Sequence, residues 1–170
     1  HALYYDNVLA TLRGEGHALV GRTFLRMLAE TERAAIGATG TPLHAGIGGL
    51  TMGADPWASA VALTAHLGGR DLHAIYVRKE AKGHGTAAFL EGTKAVPTGS
   101  RVAVVEDVVT TGGASVTAIE RLRDGGYVVD TVLAIIDRDA GGRDALRALG
   151  CELHALFSVR DFPIGQRGGR

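Results

Sequence analysis

The sequence has one cysteine, few aromatic residues and no excess of charge of either sign. The lone Cys151 cannot form an internal disulfide and has no second cysteine for a zinc site, which favours a reducing cytoplasm. Eighteen basic and eighteen acidic residues cancel, so the global positive field expected of a nucleic-acid-binding protein is missing. No run is long or apolar enough to span a bilayer. We therefore expect a cytoplasmic protein with no nucleic-acid partner and no membrane partner.

What the sequence does contain indicates an α/β fold. Hydrophobic residues make up 46% of the chain, glycine occupies 25 positions and aromatics only 5%, and the long Val, Ala and Leu runs suit buried parallel strands between helices. A length of 170 residues suits one core, which predicts a single domain over residues 1–170. The chain opens at His1 inside sequence that reads as ordered, so we expect an N-terminal segment to be missing.

Hydrophobic periodicity predicts strands that alternate with helices. Apolar residues at helical spacing predict a first helix, and Asp55 and Pro56 suit the N-cap and first position of a second one. β-branched runs predict strands buried on both faces. The strands are expected at 3–8, 43–47, 72–77, 101–105 and 131–136, and the helices at 15–31, from Asp55, and at 115–123. This order predicts βαβ units in a parallel sheet flanked by helices.

Four loops follow the predicted strands, after Ile47, Val77, Val105 and Ile136. Ligands of open parallel sheets bind at the carboxyl ends of the strands, so these loops are the candidate site. The first, GIGGLTMGADP, is rich in glycine, where backbone can approach a ligand closely.

The loop EDVVTTGG combines two kinds of binding group. Glu106 and Asp107 come at the end of the predicted strand, and because side chains alternate along a strand, at least one should face a ligand. Two carboxylates can accept hydrogen bonds from a vicinal diol, and the backbone N–H groups of TTGG at a helix start form an anion nest. Together they predict a ribose 5-phosphate site. A solvated turn with a helix N-cap is the alternative.

The loop RKEAKGHGT places Arg78, Lys79, Lys82 and His84 within seven residues. A bound anion would account for this density of positive charge, whereas an exposed charged loop partly neutralised by Glu80 is the alternative. At the fourth loop, Arg138 can grip a planar carboxylate through two parallel hydrogen bonds, and a surface salt bridge is the equally weighted alternative.

These segments resemble one family. VVEDVVTTGGAS is similar to the motif that binds phosphoribosyl pyrophosphate (PRPP) in type I phosphoribosyltransferases, and RKEAKGHG resembles the catalytic loop of orotate phosphoribosyltransferases. The resemblance implies the type I fold, with a small hood that the missing beginning would leave truncated. It implies PRPP-binding roles for Arg78, Lys79, Lys82, His84, Glu106, Asp107, Val108, Val109, Thr110, Thr111, Gly112, Gly113 and Ala114. It also implies catalytic roles for Lys82, His84 and Asp107, and orotate contacts from Thr110, Arg138 and Tyr5.

The implied reaction joins PRPP and orotate into orotidine 5′-monophosphate and pyrophosphate, in de novo pyrimidine biosynthesis. The resemblance implies Mg²⁺ as cofactor, held through PRPP and water with no direct protein ligand, and a homodimer whose 78–85 loop reaches the neighbouring active site. One departure is the absence of the lysine that some members carry near Gly53. A phosphoribosyltransferase for another base, a PRPP-sensing regulator and a catalytically idle homologue remain alternatives.

Overall fold

A computed structural model describes residues 13–36, 43–82 and 88–162, and one six-stranded sheet organises them. The strands are β1 (His44–Leu50), β2 (His73–Val77), β3 (Leu90–Glu91), β4 (Arg101–Val109), β5 (Thr131–Asp137) and β6 (Glu152–Ser158). The helices are α1 (Gly14–Ile36), α2 (Asp55–Leu67), α3 (Gly113–Asp124) and α4 (Gly142–Ala148). Short 3₁₀ turns lie at Thr93–Ala95 and Val159–Asp161.

The strand order is β3-β2-β1-β4-β5-β6, and every neighbouring pair is parallel except β2 with β3. Strands β2 and β3 follow β1 towards one edge of the sheet, whereas β5 and β6 follow β4 towards the other edge. The order therefore reverses between β1 and β4. In open α/β sheets a crevice forms at this switch point, outside the carboxyl ends of the strands, and it is the usual place for a ligand.

Helices cover both faces of the sheet. On one face α1 and α2 bury Phe24, Leu28 and Trp57 against alternate residues of β1, β4 and β5. On the other, α3 and α4 bury Ile119, Leu122 and Leu146 against the remaining strand residues. Because both faces are covered, the central strands carry near-continuous apolar runs such as VAVV in β4.

Close packing of α1 on α2 requires glycine at position 21. A Cβ there would lie 2.3 Å from Thr64 Oγ1 and 2.5 Å from the Ala60 carbonyl oxygen, far inside contact distance. Any larger residue at position 21 would push α1 and α2 apart.

The predicted α/β class with a mostly parallel sheet is confirmed. The predicted helix at 15–31 is present and extends over Gly14–Ile36, and the strands at 43–47, 72–77, 101–105 and 131–136 correspond to β1, β2, β4 and β5. The N-cap assignment was wrong by one residue, since Ala54 is the N-cap of α2 and Asp55 its first residue. The predicted strand at 3–8 lies outside the described residues.

Two features differ from expectation in ways that matter for the site. Strand β4 continues to Val109 rather than ending at Val105, so Glu106 and Asp107 lie within a strand. Strands β3 and β6 and helix α4 had not been assigned from the sequence. Among the residues that the structure describes, no helix combines the length and apolar content needed to cross a membrane.

Candidate active site

The candidate site lies at the carboxyl edge of the sheet, where four connections leave their strands. The turn after β1 (51–54) and the loop after β4 (110–112) flank the switch point. The cationic segment 78–82 leaves β2 on one side, and the loop 138–141 leaves β5 on the other. The parallel sheet therefore brings the four candidate loops of the sequence to one edge.

The two acids of β4 occupy different environments. Glu106 is only 7% exposed and lies beside Ser115 of α3, whereas Asp107 is half-buried and its Oδ1 accepts a hydrogen bond from the backbone N–H of Val108 at 2.7 Å. Burial, with a further contribution from the charge of Asp107, raises the pKa of Glu106 to about 8. The buried Ser115 hydroxyl acts weakly against this rise, without a hydrogen bond of normal geometry. At neutral pH this rise favours the protonated form of Glu106.

The turn after β4 forms a cradle at the start of α3. Gly112 adopts a left-handed conformation with φ of 85° and is the N-cap of the helix, with no capping side chain. The first N–H groups of a helix have no partner within it, and here no side chain satisfies them. They border a cavity of about 220 Å³ lined by Glu106 and residues 108–115. Such an end of a helix suits a phosphate.

The loop after β5 is hydrogen-bonded to the residues that precede this cradle. The backbone N–H of Arg138 donates to the Val109 carbonyl at 2.9 Å, and that of Gly142 donates to the Thr110 carbonyl at 3.0 Å. The approach is so close that a Cβ on Gly142 would lie 2.5 Å from Val109 Cγ1. The cradle at the start of α3 and the loop bearing Arg138 thus form one hydrogen-bonded unit.

Asp137 anchors the loop that presents Arg138. Its carboxylate is buried, with Oδ1 accepting the Asp139 N–H at 3.0 Å and Oδ2 accepting Arg143 Nη2 at 3.0 Å. Arg138 itself is half-buried, and its side chain forms no hydrogen bond or ion pair with another described residue. A guanidinium without a partner among the described residues, on a loop hydrogen-bonded to the cradle, suits a carboxylate ligand.

The cationic segment leaves β2 as the first half of a hairpin. Arg78 N–H donates to the Phe89 carbonyl at 2.7 Å, and Lys82 N–H donates to the Ala88 carbonyl at 2.8 Å. From α3, the Arg121 guanidinium donates to the Arg78 carbonyl and lies over the Phe89 ring at 4.2 Å. No local pattern could have revealed Arg121, because its partner carbonyls lie more than 40 residues away.

The turn after β1 closes the site opposite the acids. A Cβ built on Gly53 would lie 3.6 Å from Glu106 Oε1, an ordinary contact distance. Gly53 therefore faces the buried acid directly. Next to this turn, a cavity of about 400 Å³ is lined by Thr51, Asp55, Tyr76, Arg78, Lys79, Glu80 and Glu91.

Eight predicted site residues line the cavity at the start of α3, namely Glu106, Val108, Val109, Thr110, Thr111, Gly112, Gly113 and Ala114. Arg78 and Lys79 line the separate cavity of about 400 Å³, whereas Lys82, Asp107 and Arg138 lie on the same strands and loops but line neither of these two cavities. Tyr5 and His84 lie outside the described residues. A larger cavity of about 680 Å³ lies elsewhere, among residues that begin β1, β4, β5 and β6, and contains none of the predicted site residues. The chemistry of the side chains, and not cavity size, makes the carboxyl edge the candidate site.

Comparison with known proteins shows relatives of this chain. No family model matches the chain. The orotate phosphoribosyltransferase of Thermosynechococcus vestitus is 46% identical over 159 residues, which cover 93% of this chain and 77% of that protein. That of Sorangium cellulosum is 42% identical over 159 residues, which cover 94% and 78%.

Solved structures are similar as well. A Mycobacterium tuberculosis orotate phosphoribosyltransferase in complex with PRPP superposes with a TM-score of 0.74 at 34% identity, covering 94% of this chain and 83% of that one. An adenine phosphoribosyltransferase from Saccharomyces cerevisiae has a TM-score of 0.65 at 20% identity, covering 91% and 86%, which shows a shared fold alone.

A mostly parallel sheet flanked by helices, with an acid pair at its switch point and a cationic segment after the neighbouring strand β2, is the type I phosphoribosyltransferase fold. The 46% and 42% sequence identity to orotate phosphoribosyltransferases narrows this to one family of phosphoribosyltransferases. The chain belongs to the orotate phosphoribosyltransferase family.

Proposed function

We propose that the protein transfers the 5-phosphoribosyl group of PRPP to orotate, giving orotidine 5′-monophosphate and pyrophosphate, a step of de novo pyrimidine biosynthesis. Family membership supports the activity. The observation that carries it is the meeting of acids, phosphate cradle and cationic hairpin at one strand edge. A sugar bearing both a 5′-phosphate and a 1-diphosphate requires these three groups together.

The cradle at the start of α3 would hold the 5′-phosphate. The N–H groups of residues 111–114 and the hydroxyls of Thr110 and Thr111 are the donors, and the positive end of the helix dipole adds to their effect. Val108 and Val109 contribute backbone to the wall of the same cavity.

Glu106 and Asp107 would bind the ribose hydroxyls. When the bond at the anomeric carbon breaks, positive charge develops on the sugar. A carboxylate nearby stabilises that charge, and because Glu106 is buried, its interaction is weakly screened by water. The arrival of positive charge also favours loss of the proton that burial keeps on Glu106.

Arg78, Lys79, Lys82 and His84 would bind the departing pyrophosphate. Negative charge develops there as the bond breaks, and cations fixed in advance act most strongly on charge that develops. The Lys82 side chain is 70% exposed, and it would bind the substrate from this exposed position. On the other side, Arg138 and Thr110 would bind orotate, with Tyr5 as a further contact.

The donor set fits a hydrated Mg²⁺ that arrives with PRPP. Among the described residues no three His, Cys, Asp or Glu side chains form a group that could hold a metal ion, and burial raises the pKa of Glu106 to about 8. Mg²⁺ keeps several waters and binds substrate phosphates, so it needs few protein ligands. It would neutralise part of the diphosphate charge. We further propose a cytoplasmic homodimer in which loop 78–85 reaches the partner's site.

The test is the absorbance decrease of orotate on mixing with PRPP, Mg²⁺ and the protein. Consumption of orotate that requires PRPP supports the proposal. Consumption of adenine or uracil but not orotate would assign another base, and PRPP binding without any turnover would indicate a sensor.

A further inference from the structure

Glu91 of β3 forms ion pairs with two residues of the cationic segment 78–82. Its Oε1 accepts Arg78 Nη1 at 3.2 Å and Lys82 Nζ at 3.5 Å. In the sheet Glu91 pairs with Tyr76 of β2, so the antiparallel register places its carboxylate beside the point where the cationic segment leaves the strand. The side chain is 44% exposed and accessible from the site.

The backbone of the hairpin is held by other groups. Arg121 donates to the carbonyls of Arg78 and, at 3.2 Å, of Lys79, and it stacks on the ring of Phe89. Two cross-hairpin hydrogen bonds complete the anchor. The contacts of Glu91 therefore hold the ends of the two cationic side chains and are not required for the path of the chain.

Glu91 also faces the space in which a diphosphate would bind. It lines the cavity of about 400 Å³ together with Thr51 and Asp55 from the β1–α2 connection and with Arg78 and Lys79 from the cationic segment. A carboxylate in this cavity and the oxygens of a diphosphate would have the same partners. Both are oxygen anions that accept charged hydrogen bonds.

We propose that Glu91 is the resting counter-anion of Arg78 and Lys82, which exchange it for pyrophosphate oxygens when substrate is bound and return to it when pyrophosphate leaves. This rests on the proposed function. Each cation has to leave one anion to bind another, so the affinity for pyrophosphate is lower than free cations would provide. Glu91 is thus a positioning residue that accelerates product release.

Replacing Glu91 by glutamine tests this exchange. The amide keeps the size of the side chain and removes the competing charge. Exposed ion pairs change an equilibrium by about 1.5- to 5-fold each. With two pairs removed, we expect the dissociation constant of Mg²⁺-pyrophosphate, measured by calorimetry on the full chain, to fall about three- to tenfold. The difference should shrink at high salt.

Glu80→Gln is the matched control. Glu80 lines the same cavity and carries the same charge, but its carboxylate forms no ion pair with another described residue. Its replacement should change the dissociation constant less than twofold. Thermal unfolding of both variants should match that of the unsubstituted protein.

The outcomes separate this inference from the proposed function. If the unsubstituted protein binds pyrophosphate but Glu91→Gln binds it equally or more weakly, the exchange is refuted and the function stands. An equal tightening in both variants would mean a general field effect and would also refute it. Failure of the unsubstituted protein to bind pyrophosphate would overturn both the function and the exchange.

Discussion

Replacing Glu106 by glutamine should make the protein more stable at neutral pH and less active. Burial, together with the Asp107 charge, raises the pKa of Glu106 from its ordinary value of 4.5 to about 8. Between pH 4.5 and about pH 8, Glu106 keeps its proton in the folded state but has released it in the unfolded state. Stability therefore falls as the pH rises from 4.5 to 8, because the unfolded state binds fewer protons.

The size of the effect follows from the pKa difference. Each pH unit in this interval lowers the free energy of unfolding by about 1.36 kcal/mol. From pH 4.5 to pH 7 the loss is about 3 kcal/mol. Glutamine has no proton to release, so Glu106→Gln should be more stable by about 3 kcal/mol at pH 7 and nearly unchanged at pH 4.5. The two carboxylates proposed to bind ribose would be reduced to one, which should lower kcat/KM.

Urea unfolding of both proteins from pH 4.5 to 8.5, without substrates, measures this directly. Glu120→Gln is the control, since Glu120 is exposed on α3 and its replacement should change stability by less than about 0.5 kcal/mol at every pH. A difference between Glu106→Gln and the unsubstituted protein that does not grow with pH would refute the reasoning.

Three further predictions concern other parts of the chain. Lys82→Ala should lower kcat in the orotate assay by about 100-fold or more, since it removes a charge acting on the leaving group; an unchanged kcat would exclude the hairpin from the chemistry. Arg138→Ala should raise the KM of orotate by about tenfold or more and that of PRPP by less than about threefold; equal rises would contradict the carboxylate assignment. Glu32→Gln should cost about 3 kcal/mol in urea unfolding at pH 7. Burial alone would raise the pKa of Glu32, but hydrogen bonds from His44 and Arg70 outweigh it and lower the pKa to about 2. Its contribution is present above pH 4.5 and is lost as the pH falls towards 2, so the two proteins should converge in acid.

Local pattern was enough to predict the central strands and the site loops. The valine run of β4 predicts a strand, because burial on both faces favours β-branched apolar residues. The glycines at the start of α3 predict a turn, because glycine readily adopts the left-handed conformation found at Gly112. The end of β4 was misplaced because the apolar run stops at Val105. Pairing with β5 continues to Val109 opposite Asp137, and charge did not interrupt it.

Contacts between segments far apart in the chain could not be predicted from the sequence. Arg121 binds carbonyls more than 40 residues away, and Glu91 meets Lys82 only because β3 folds back on β2. The proton on Glu106 likewise depends on burial by surrounding elements, whereas the sequence alone indicated an ionised acid. Such properties arise from the tertiary arrangement and not from residue type.

A crystal structure with PRPP and Mg²⁺ tests the central claim most directly. The account predicts the 5′-phosphate on the N–H groups of residues 111–114, the ribose hydroxyls on Glu106 and Asp107, and the diphosphate between the β1–α2 turn and the cationic hairpin. PRPP bound at another edge of the sheet, or with its diphosphate in the cradle before α3, would contradict it.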